Sequence, residues 1–254
     1  MKKFIAIMMS MLMAAGFAGC GQAEGTDEAS GKKYVIGTDT TFAPFEFQNS
    51  NGEMEGIDMD LLAAVAAEEG FDYEVKALGF DAAVQALEAQ QVDGVIAGMS
   101  ITDKRKESFD FSEPYFDSGV IMGVAENNDT VNGYEDLNGQ KVAVKTGTEG
   151  SAFADSIKDQ YGFEIVTFED SATMYEDVKL GNTVACFEDY PVLGYAITQG
   201  VGLKTVTDKE QGSSYGFAVP KGQNAELLQQ FNDGLDKLKK NGKYQEILDK
   251  YIAE

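Results

Sequence analysis

The side chains best suited to chemistry follow the apolar runs of the chain. Arg105, the single arginine, comes shortly after the run that ends at Ala97. A guanidinium is planar and donates to both oxygens of a carboxylate, so this position predicts a carboxylate-binding site. A surface arginine beside Lys104 and Lys106 is the alternative interpretation.

Acids and an aromatic ring follow two other apolar runs. Asp39 and Phe42 come after the first run, where a carboxylate and a ring could clamp a small polar ligand. Turn chemistry with a core aromatic is the alternative. Glu188 and Asp189 follow a later run and precede a helical pattern. A carboxylate at that place pairs with an ammonium group or caps the helix.

A glycine-rich turn, residues 147–150, follows the predicted strand that ends at Lys145 and opens a helix. Free backbone N–H groups at such a turn favour an anion. The segment lacks the Gly-Lys-Ser/Thr of a Walker loop and the G-x-G-x-x-G of a dinucleotide site. Cys186 lies in an apolar run and is predicted to be a buried structural thiol.

The composition excludes several classes of function. The 254 residues include 20 basic and 43 acidic side chains, a formal net charge of −23, and no histidine or tryptophan. The lack of histidine excludes a Ser-His-Asp triad, a histidine base and a histidine-bearing metal site. The negative charge repels phosphate backbones, so no nucleic acid partner is expected. Two cysteines are too few for a four-thiolate zinc site, and we expect no metal and no cofactor.

The N-terminus is predicted to be a targeting signal rather than part of the folded domain. Two lysines precede an uncharged run of about 16 residues, which is shorter than the roughly 20 that span a bilayer. Residues 17–20 resemble the lipobox of bacterial lipoproteins, with Cys20 as the lipid anchor. A plain signal peptide is the alternative. We therefore expect a signal peptide at 1–19, a flexible tether at 20–31, and a protein exported and lipid-anchored to the outer face of the cell membrane.

The elements that must position these side chains alternate between strands and helices. From Tyr34 to Ala97 the pattern is β-α-β-α-β, with Asp58 as the expected cap of the first helix and a hairpin at Asn51-Gly52. The apolar run 92–97 is expected to be one continuous strand. Such an order implies a parallel sheet with crossover helices.

A second run of the same kind starts near Lys141, so the chain is expected to form two α/β lobes. Extended segments at 109–124 and 215–219 suit a double-stranded hinge. Residues 224–251 carry the apolar stripe of one or two amphipathic helices. The expected division is lobe 1 at 32–114 and 219–254, and lobe 2 at 115–218.

Taken together, these segments resemble the polar amino acid-binding proteins of bacterial ABC importers, and among them the glutamine-binding proteins. The resemblance covers the chain from about residue 34 to its end. The motifs that carry it are residues 37–47, 56–61, 97–105, 109–115, 145–148 and 188–191. It implies an α/β, two-lobed periplasmic-binding-protein type II fold that closes on its ligand about a hinge.

The resemblance also implies roles for individual residues. Arg105 would bind the ligand α-carboxylate, with backbone N–H groups of Ser100 and Glu149. Asp189 would pair with the α-ammonium, with the Gly98 carbonyl and the Ser100 hydroxyl. The remaining implied ligand-binding residues are Phe42 and Phe80 as a sandwich for the side chain, Asp39 and Lys145 at its polar end, Thr148, and Glu188.

A zwitterion needs an opposite, hydrogen-bonded partner for each charge when it is desolvated. Arg105 and Asp189 supply that pair from opposite halves of the chain. Glutamine or asparagine is favoured because Asp39 and Lys145 offer an acceptor and a donor to a carboxamide. Arginine, lysine or histidine is the alternative, since Glu188 adds an acid where glutamine binders of this family carry another residue.

The expected function is therefore capture of a free L-amino acid and its delivery to the membrane permease of an ABC importer, by a monomer that is not an enzyme. Two other functions are the alternatives. An enzyme on the same fold, such as a dehydratase of a cyclic acid, would need a general acid or base near Arg105. A ligand-sensing module would need a receptor on which to act.

Overall fold

The computed structural model describes residues 32–252. The predicted signal peptide, Cys20 and the tether at 20–31 lie outside the described residues. Within 32–252, no helix is both long enough and apolar enough to cross a membrane.

The strands are short and distributed over the whole described chain. In chain order they are β1 (Tyr34–Thr38), β2 (Thr41–Phe42), β3 (Glu46–Gln48), β4 (Met54–Glu55), β5 (Tyr73–Ala77), β6 (Gly94–Val95), β7 (Phe109–Phe111), β8 (Phe116–Ala125), β9 (Lys141–Lys145), β10 (Glu164–Phe168), β11 (Ala185–Asp189), β12 (Leu203–Thr205), β13 (Glu210–Tyr215) and β14 (Ala218–Pro220).

Helices connect most of these strands. They are α1 (Ile57–Glu69), α2 (Phe80–Glu88), α3 (Asp103–Lys106), α4 (Glu149–Tyr161), α5 (Ser171–Leu180), α6 (Tyr190–Thr198), α7 (Ala225–Asn241) and α8 (Lys243–Tyr251), with one 3₁₀ turn at Tyr134–Leu137.

The first sheet has the strand order β5-β1-β6-β14-β7. Its strands β5, β1 and β6 are parallel, as the β-α-β-α-β pattern predicts, and β14 pairs antiparallel with β6 and β7. Helices α1 and α7 pack beside it, and stacking of Phe217 on Phe231 at 4.5 Å between ring centroids joins α7 to the hinge side of this core.

The second sheet has the order β10-β9-β11-β8-β12, with β13 also paired to β8. Strands β9, β10 and β11 are parallel, whereas β8 runs antiparallel to β11, β12 and β13. Cys186 lies in the centre of this sheet and is fully buried, which confirms the predicted structural thiol.

The chain passes between the two sheets twice, over residues 112–115 and 216–217. The two crossings are hydrogen-bonded to each other: Ser112 N–H donates to the Phe217 carbonyl at 2.8 Å, and Tyr115 N–H to the Tyr215 carbonyl at 2.9 Å. The predicted two-lobed α/β fold is confirmed.

Two expectations about local structure were wrong and one was confirmed. Asp58 does not cap α1: the carbonyl of Phe45 accepts its N–H at 2.8 Å, and its side chain turns into the core. The apolar run 92–97 forms only the two-residue strand β6 (Gly94–Val95), which pairs with Ile36 and Gly37 although β1 itself continues to Thr38. The hairpin at Asn51-Gly52 connects β3 and β4 as expected.

Candidate functional site

Arg105 lies on α3, directly after the first sheet. The Thr102 hydroxyl caps this short helix by accepting the Arg105 N–H at 3.2 Å. The guanidinium donates from Nη1 to the Ser100 carbonyl at 2.8 Å and from Nη2 to the Gly147 carbonyl at 3.0 Å. Its carbon lies 5.3 Å from the centre of the Phe80 ring. Among residues 32–252 no carboxylate forms an ion pair with it, so its other N–H groups can serve a ligand carboxylate.

Asp189 ends β11 and is almost completely buried. Its carboxylate accepts the hydroxyl of Tyr215 at 2.6 Å, and that hydroxyl accepts the Ser118 hydroxyl at 3.0 Å. Burial, and then the neighbouring charge of Glu188, raise the pKa of Asp189 to about 7. A buried carboxylate in this state gains most from a cation at contact distance, such as an α-ammonium group.

The Asp39 carboxylate and the Lys145 ammonium form a hydrogen-bonded ion pair between the end of β1 and the end of β9. Both side chains are only 1% exposed. Asp39 also accepts the Thr40 N–H at 2.7 Å, and Lys145 lies 4.9 Å from the centre of the Phe42 ring. The pair presents a carboxylate and an ammonium side by side, one from each lobe.

Glu188 precedes Asp189 on β11 and is equally buried. One of its oxygens accepts the hydroxyls of Ser171 at 2.8 Å and Tyr175 at 3.1 Å, and the other accepts the Asp189 N–H at 3.0 Å. Burial raises its pKa, and the charge of Lys145 opposes that rise. Both oxygens of Glu188 are therefore already occupied by groups of its own lobe.

The N-terminus of α4 faces Arg105 from the second lobe. Thr148 caps the helix: its hydroxyl accepts the Ser151 N–H at 3.2 Å and donates to the Lys145 carbonyl at 2.8 Å. Glu149 begins the helix, so its backbone N–H is a first-turn donor. Burial lowers the pKa of Arg105, while the charges of Glu149 and Asp189 oppose the change.

Gly98 and Ser100 form the wall between these groups on the first lobe. Gly98 has φ +52°, and a Cβ atom there would overlap the Phe42 ring, so the position requires glycine. Its N–H donates to Asp58 at 2.8 Å. The Ser100 hydroxyl accepts from Ser213 at 3.4 Å.

The predicted site residues come together where the two lobes face each other, and direct contacts or charge interactions link all of them. They are Asp39, Phe42, Phe80, Gly98, Ser100 and Arg105 on the first lobe, and Lys145, Thr148, Glu149, Glu188 and Asp189 on the second.

Sequence reasoning missed Tyr215 as part of the site. It is fully buried, donates to Asp189 and forms a bridge with Ser100, so it touches groups of both lobes. The sequence feature that could have identified Tyr215 is its position at the start of the second extended segment, where the hinge was expected.

The fold and this arrangement of charges define a class: two-lobed proteins that hold a small ligand between their lobes. Residues 34–254 match the bacterial extracellular solute-binding proteins, family 3, and the chain belongs to that family. It is an exported amino-acid-binding protein of an ABC importer, and the proteins it matches are solute-binding proteins, not enzymes.

Among similar proteins, a "Probable histidine-binding protein" of Neisseria gonorrhoeae is 32% identical, over 100% of this chain and 97% of that protein. An ancestral arginine-binding protein bound to glutamine is 37% identical with a TM-score of 0.80, covering 87% of this chain and 98% of that one. The substrate binding domain 2 of Lactococcus lactis GlnP in open conformation is 40% identical with a TM-score of 0.61, covering 87% and 95%.

Proposed function

We propose that this protein captures L-glutamine, and L-asparagine less tightly, between its lobes and presents it to the membrane permease of its importer as a monomer. Arg105 and Asp189 carry the proposal. They face the cleft from opposite lobes, Arg105 partly buried and Asp189 almost completely buried, and neither has an opposite charge at ion-pair distance among residues 32–252. A free amino acid supplies both missing charges in one molecule.

In this proposal Arg105 and the Glu149 N–H bind the α-carboxylate, and Asp189 with the Gly98 carbonyl and Ser100 hydroxyl binds the α-ammonium. Phe42 and Phe80 contact the alkyl chain of the ligand. The Phe80 ring lies beside the Arg105 guanidinium, and the Phe42 ring lies beside the Lys145 ammonium. In the proposal, Arg105 marks the α-carboxylate end of the ligand and Lys145 marks the end of its side chain.

The side-chain preference rests on the Asp39–Lys145 pair. The two charges compensate each other, so this end of the cleft offers one acceptor and one donor but no net charge. A carboxamide has one acceptor oxygen and an NH₂ donor and matches both. Glu188 supports the same choice, because its oxygens are bonded to Ser171, Tyr175 and Asp189 rather than presented to a ligand.

A basic amino acid is the second candidate. The name of the similar Neisseria protein refers to histidine, and an ancestral arginine-binding protein was observed with arginine as well as with glutamine. Binding of arginine would require the Asp39 carboxylate to exchange Lys145 for the ligand cation.

We also propose that Cys20 carries the lipid anchor and that residues 20–31 tether the lobes to the membrane. Metabolic labelling with a fatty acid tests this, since Cys20→Ala should remove the label.

A thermal-shift screen of the twenty amino acids tests the ligand. A ligand that binds only the folded state raises the melting temperature by mass action. We expect the largest rise with glutamine and a smaller one with asparagine. A rise confined to arginine, lysine and histidine would overturn the glutamine proposal in favour of the second candidate.

Arg105→Ala tests the proposed carboxylate contact. The ligand carboxylate would be left unpaired in the cleft, so affinity for glutamine in titration calorimetry should fall at least about tenfold. Lys104→Ala removes an exposed cation from the same helix and should leave the affinity unchanged. Unchanged affinity in Arg105→Ala would contradict the proposed contact between Arg105 and the ligand carboxylate.

A further inference from the structure

Two buried acids, Glu46 and Asp58, lie beneath the cleft of the first lobe and take no part in the proposed ligand contacts. Both side chains are 0% exposed. Glu46 begins β3 and Asp58 lies in the first turn of α1, and the carbonyl of Phe45 accepts the Asp58 N–H at 2.8 Å. This backbone bond brings the two side chains into the same buried region, where the charge of Asp58 acts on Glu46.

Only one of the four carboxyl oxygens of this pair accepts hydrogen bonds from the described residues. Asp58 Oδ2 accepts two donors, the Gly98 N–H and the Tyr115 hydroxyl, each at 2.8 Å. Within the described residues, Asp58 Oδ1 and both oxygens of Glu46 have no donor. Two ionised carboxylates would repel each other here and leave three buried acceptors unsatisfied, whereas one proton on Glu46 supplies a donor for Asp58 Oδ1 and leaves a single Glu46 oxygen without a partner.

We propose that Glu46 is protonated at neutral pH and donates to Asp58 Oδ1, and that Asp58, held in this way, is a positioning residue for the ligand site. This inference rests on the proposed function, in which the Gly98 carbonyl contacts the ligand ammonium.

The contacts of Asp58 give it this role. Its bond to the Gly98 N–H fixes the backbone of a residue that already has φ +52° against the Phe42 ring. Its bond to Tyr115 reaches the first hinge crossing, where the Tyr115 ring lies 6.2 Å from that of Tyr215. Asp58 therefore connects Gly98, in the wall of the cleft, to Tyr115 in the first hinge crossing.

The charged and titratable groups that interact with the pair include Asp39, Lys145, Tyr115 and Tyr244. Burial, and then the charge of Asp58, raise the pKa of Glu46 well above its usual range. Burial raises the pKa of Asp58 to about 6, and the bonds from Gly98 and Tyr115 limit the rise. The two donors on Oδ2 favour the ionised form of Asp58, which accepts both bonds as a carboxylate.

Infrared spectroscopy of the ligand-free protein tests the shared proton. Asp189, whose pKa is about 7, is partly protonated at neutral pH in all these proteins, so difference spectra are compared. At about pH 7, where ordinary acids are ionised, wild type minus Glu46→Gln should show the carbonyl stretching band of a protonated carboxylic acid. Wild type minus Glu53→Gln, which changes an exposed acid of the same hairpin, should show none. A Glu46→Gln difference spectrum without the band would overturn the shared proton.

Titration calorimetry with L-glutamine tests the positioning role. Glu46→Gln still offers an N–H donor to Asp58 and should bind within about twofold of wild type. Glu46→Leu has a similar size but no donor, and affinity should fall at least about fivefold because Asp58 Oδ1 is left unsatisfied. A merely structural role would lower the melting temperature of Glu46→Leu without changing the affinity of its folded form, and that result would overturn the positioning role.

The two proposals fail separately. If another amino acid gives the largest thermal shift, the glutamine preference fails and the same variants are titrated with that amino acid. If none of the twenty binds, the proposed function fails and the positioning role with it, while the infrared result still decides where the proton lies.

Discussion

Asp189 is the residue at which ligand capture becomes sensitive to pH. Burial, and then the charge of Glu188, raise its pKa to about 7. An α-ammonium group pairs with the ionised carboxylate only, so below about pH 7 the free protein must lose a proton before it binds. We expect the affinity for glutamine to fall about fourfold as the pH drops from about 8.5 to 6.5, with the slope rising toward tenfold per unit only well below the pKa. Calorimetry across this range measures it.

Asp189→Asn is the matched control for this prediction. It keeps the size of the side chain and an acceptor for the Tyr215 hydroxyl but cannot ionise. Its affinity should be lower at every pH and nearly constant between about pH 6.5 and 8.5. A wild-type affinity that stays constant over the same range would contradict the assigned ammonium contact.

Lys145 determines which ligand side chains the Asp39 end of the cleft accepts. Lys145→Met removes the ammonium but keeps an unbranched side chain against the Phe42 ring, and it leaves the Asp39 carboxylate buried and unpaired. A cationic ligand side chain can then take the vacated place. We expect the ratio of arginine to glutamine affinity to rise at least about tenfold in competition calorimetry.

The double variant Asp39→Asn/Lys145→Met removes both charges and is the control for the single one. It leaves no unpaired carboxylate, so its arginine affinity should not rise. An equal gain in both variants would mean that arginine does not pair with Asp39.

At the scale of elements, the close approach of α4 to β11 sets the spacing between Glu149 and Asp189. A Cβ atom on Gly150 would lie 2.6 Å from the Phe187 carbonyl oxygen. Gly150→Ala must therefore push the start of α4 away from β11. We expect a loss of about 1–3 kcal/mol of unfolding free energy, with weaker glutamine binding. Thermal unfolding should show a melting temperature lower by about 2–4 °C per kcal/mol.

Gly194→Ala on α6 offers the comparison, because nothing lies within 4 Å of a Cβ atom at that position. Alanine has the higher helix propensity, so this variant should match or exceed the stability of wild type. Equal stability of the two variants would contradict the argument from close approach.

The elements themselves were largely predictable from the sequence. The alternation of apolar runs and helical patterns depends on local spacing, so it gave the parallel strands β5, β1 and β6 and their crossover helices. Local rules failed at Asp58, whose position suits a helix cap. Carbonyls of the preceding segment bind the first N–H groups of α1 instead, and the carboxylate is bonded to Gly98 and Tyr115, far along the chain.

The sequence predicted that the candidate residues lie together, but not which of them pair. Asp39 and Lys145 were both expected at the polar end of a ligand, yet 106 positions separate them and no spacing rule predicts that they bind each other. Tyr215 was likewise placed only in an extended segment. Its contacts with Ser100, Ser118 and Asp189 depend on how the two hinge crossings lie side by side.

At the scale of the whole molecule, hydrogen-bonded contacts within residues 32–252 join the two lobes. They include the Asp39–Lys145 ion pair, the bond from Arg105 to the Gly147 carbonyl, and the bond from the Ser171 N–H to the Thr41 hydroxyl at 3.4 Å. A ligand that contacts both lobes can only shift the hinge equilibrium by its extra affinity for the closed form.

Ligand-driven closure should therefore depend on the proposed bridge between Arg105 and Asp189. Small-angle scattering of wild type should show a smaller radius of gyration with saturating glutamine, approaching the about 17 Å of a compact chain of about 220 residues. Arg105→Ala loses both the ligand carboxylate contact and the bond to the Gly147 carbonyl. At a glutamine concentration that saturates it, this variant should remain more expanded than wild type, because its ligand favours the closed form less. Lys104→Ala should close like wild type. Full compaction of saturated Arg105→Ala would show that closure does not require this residue.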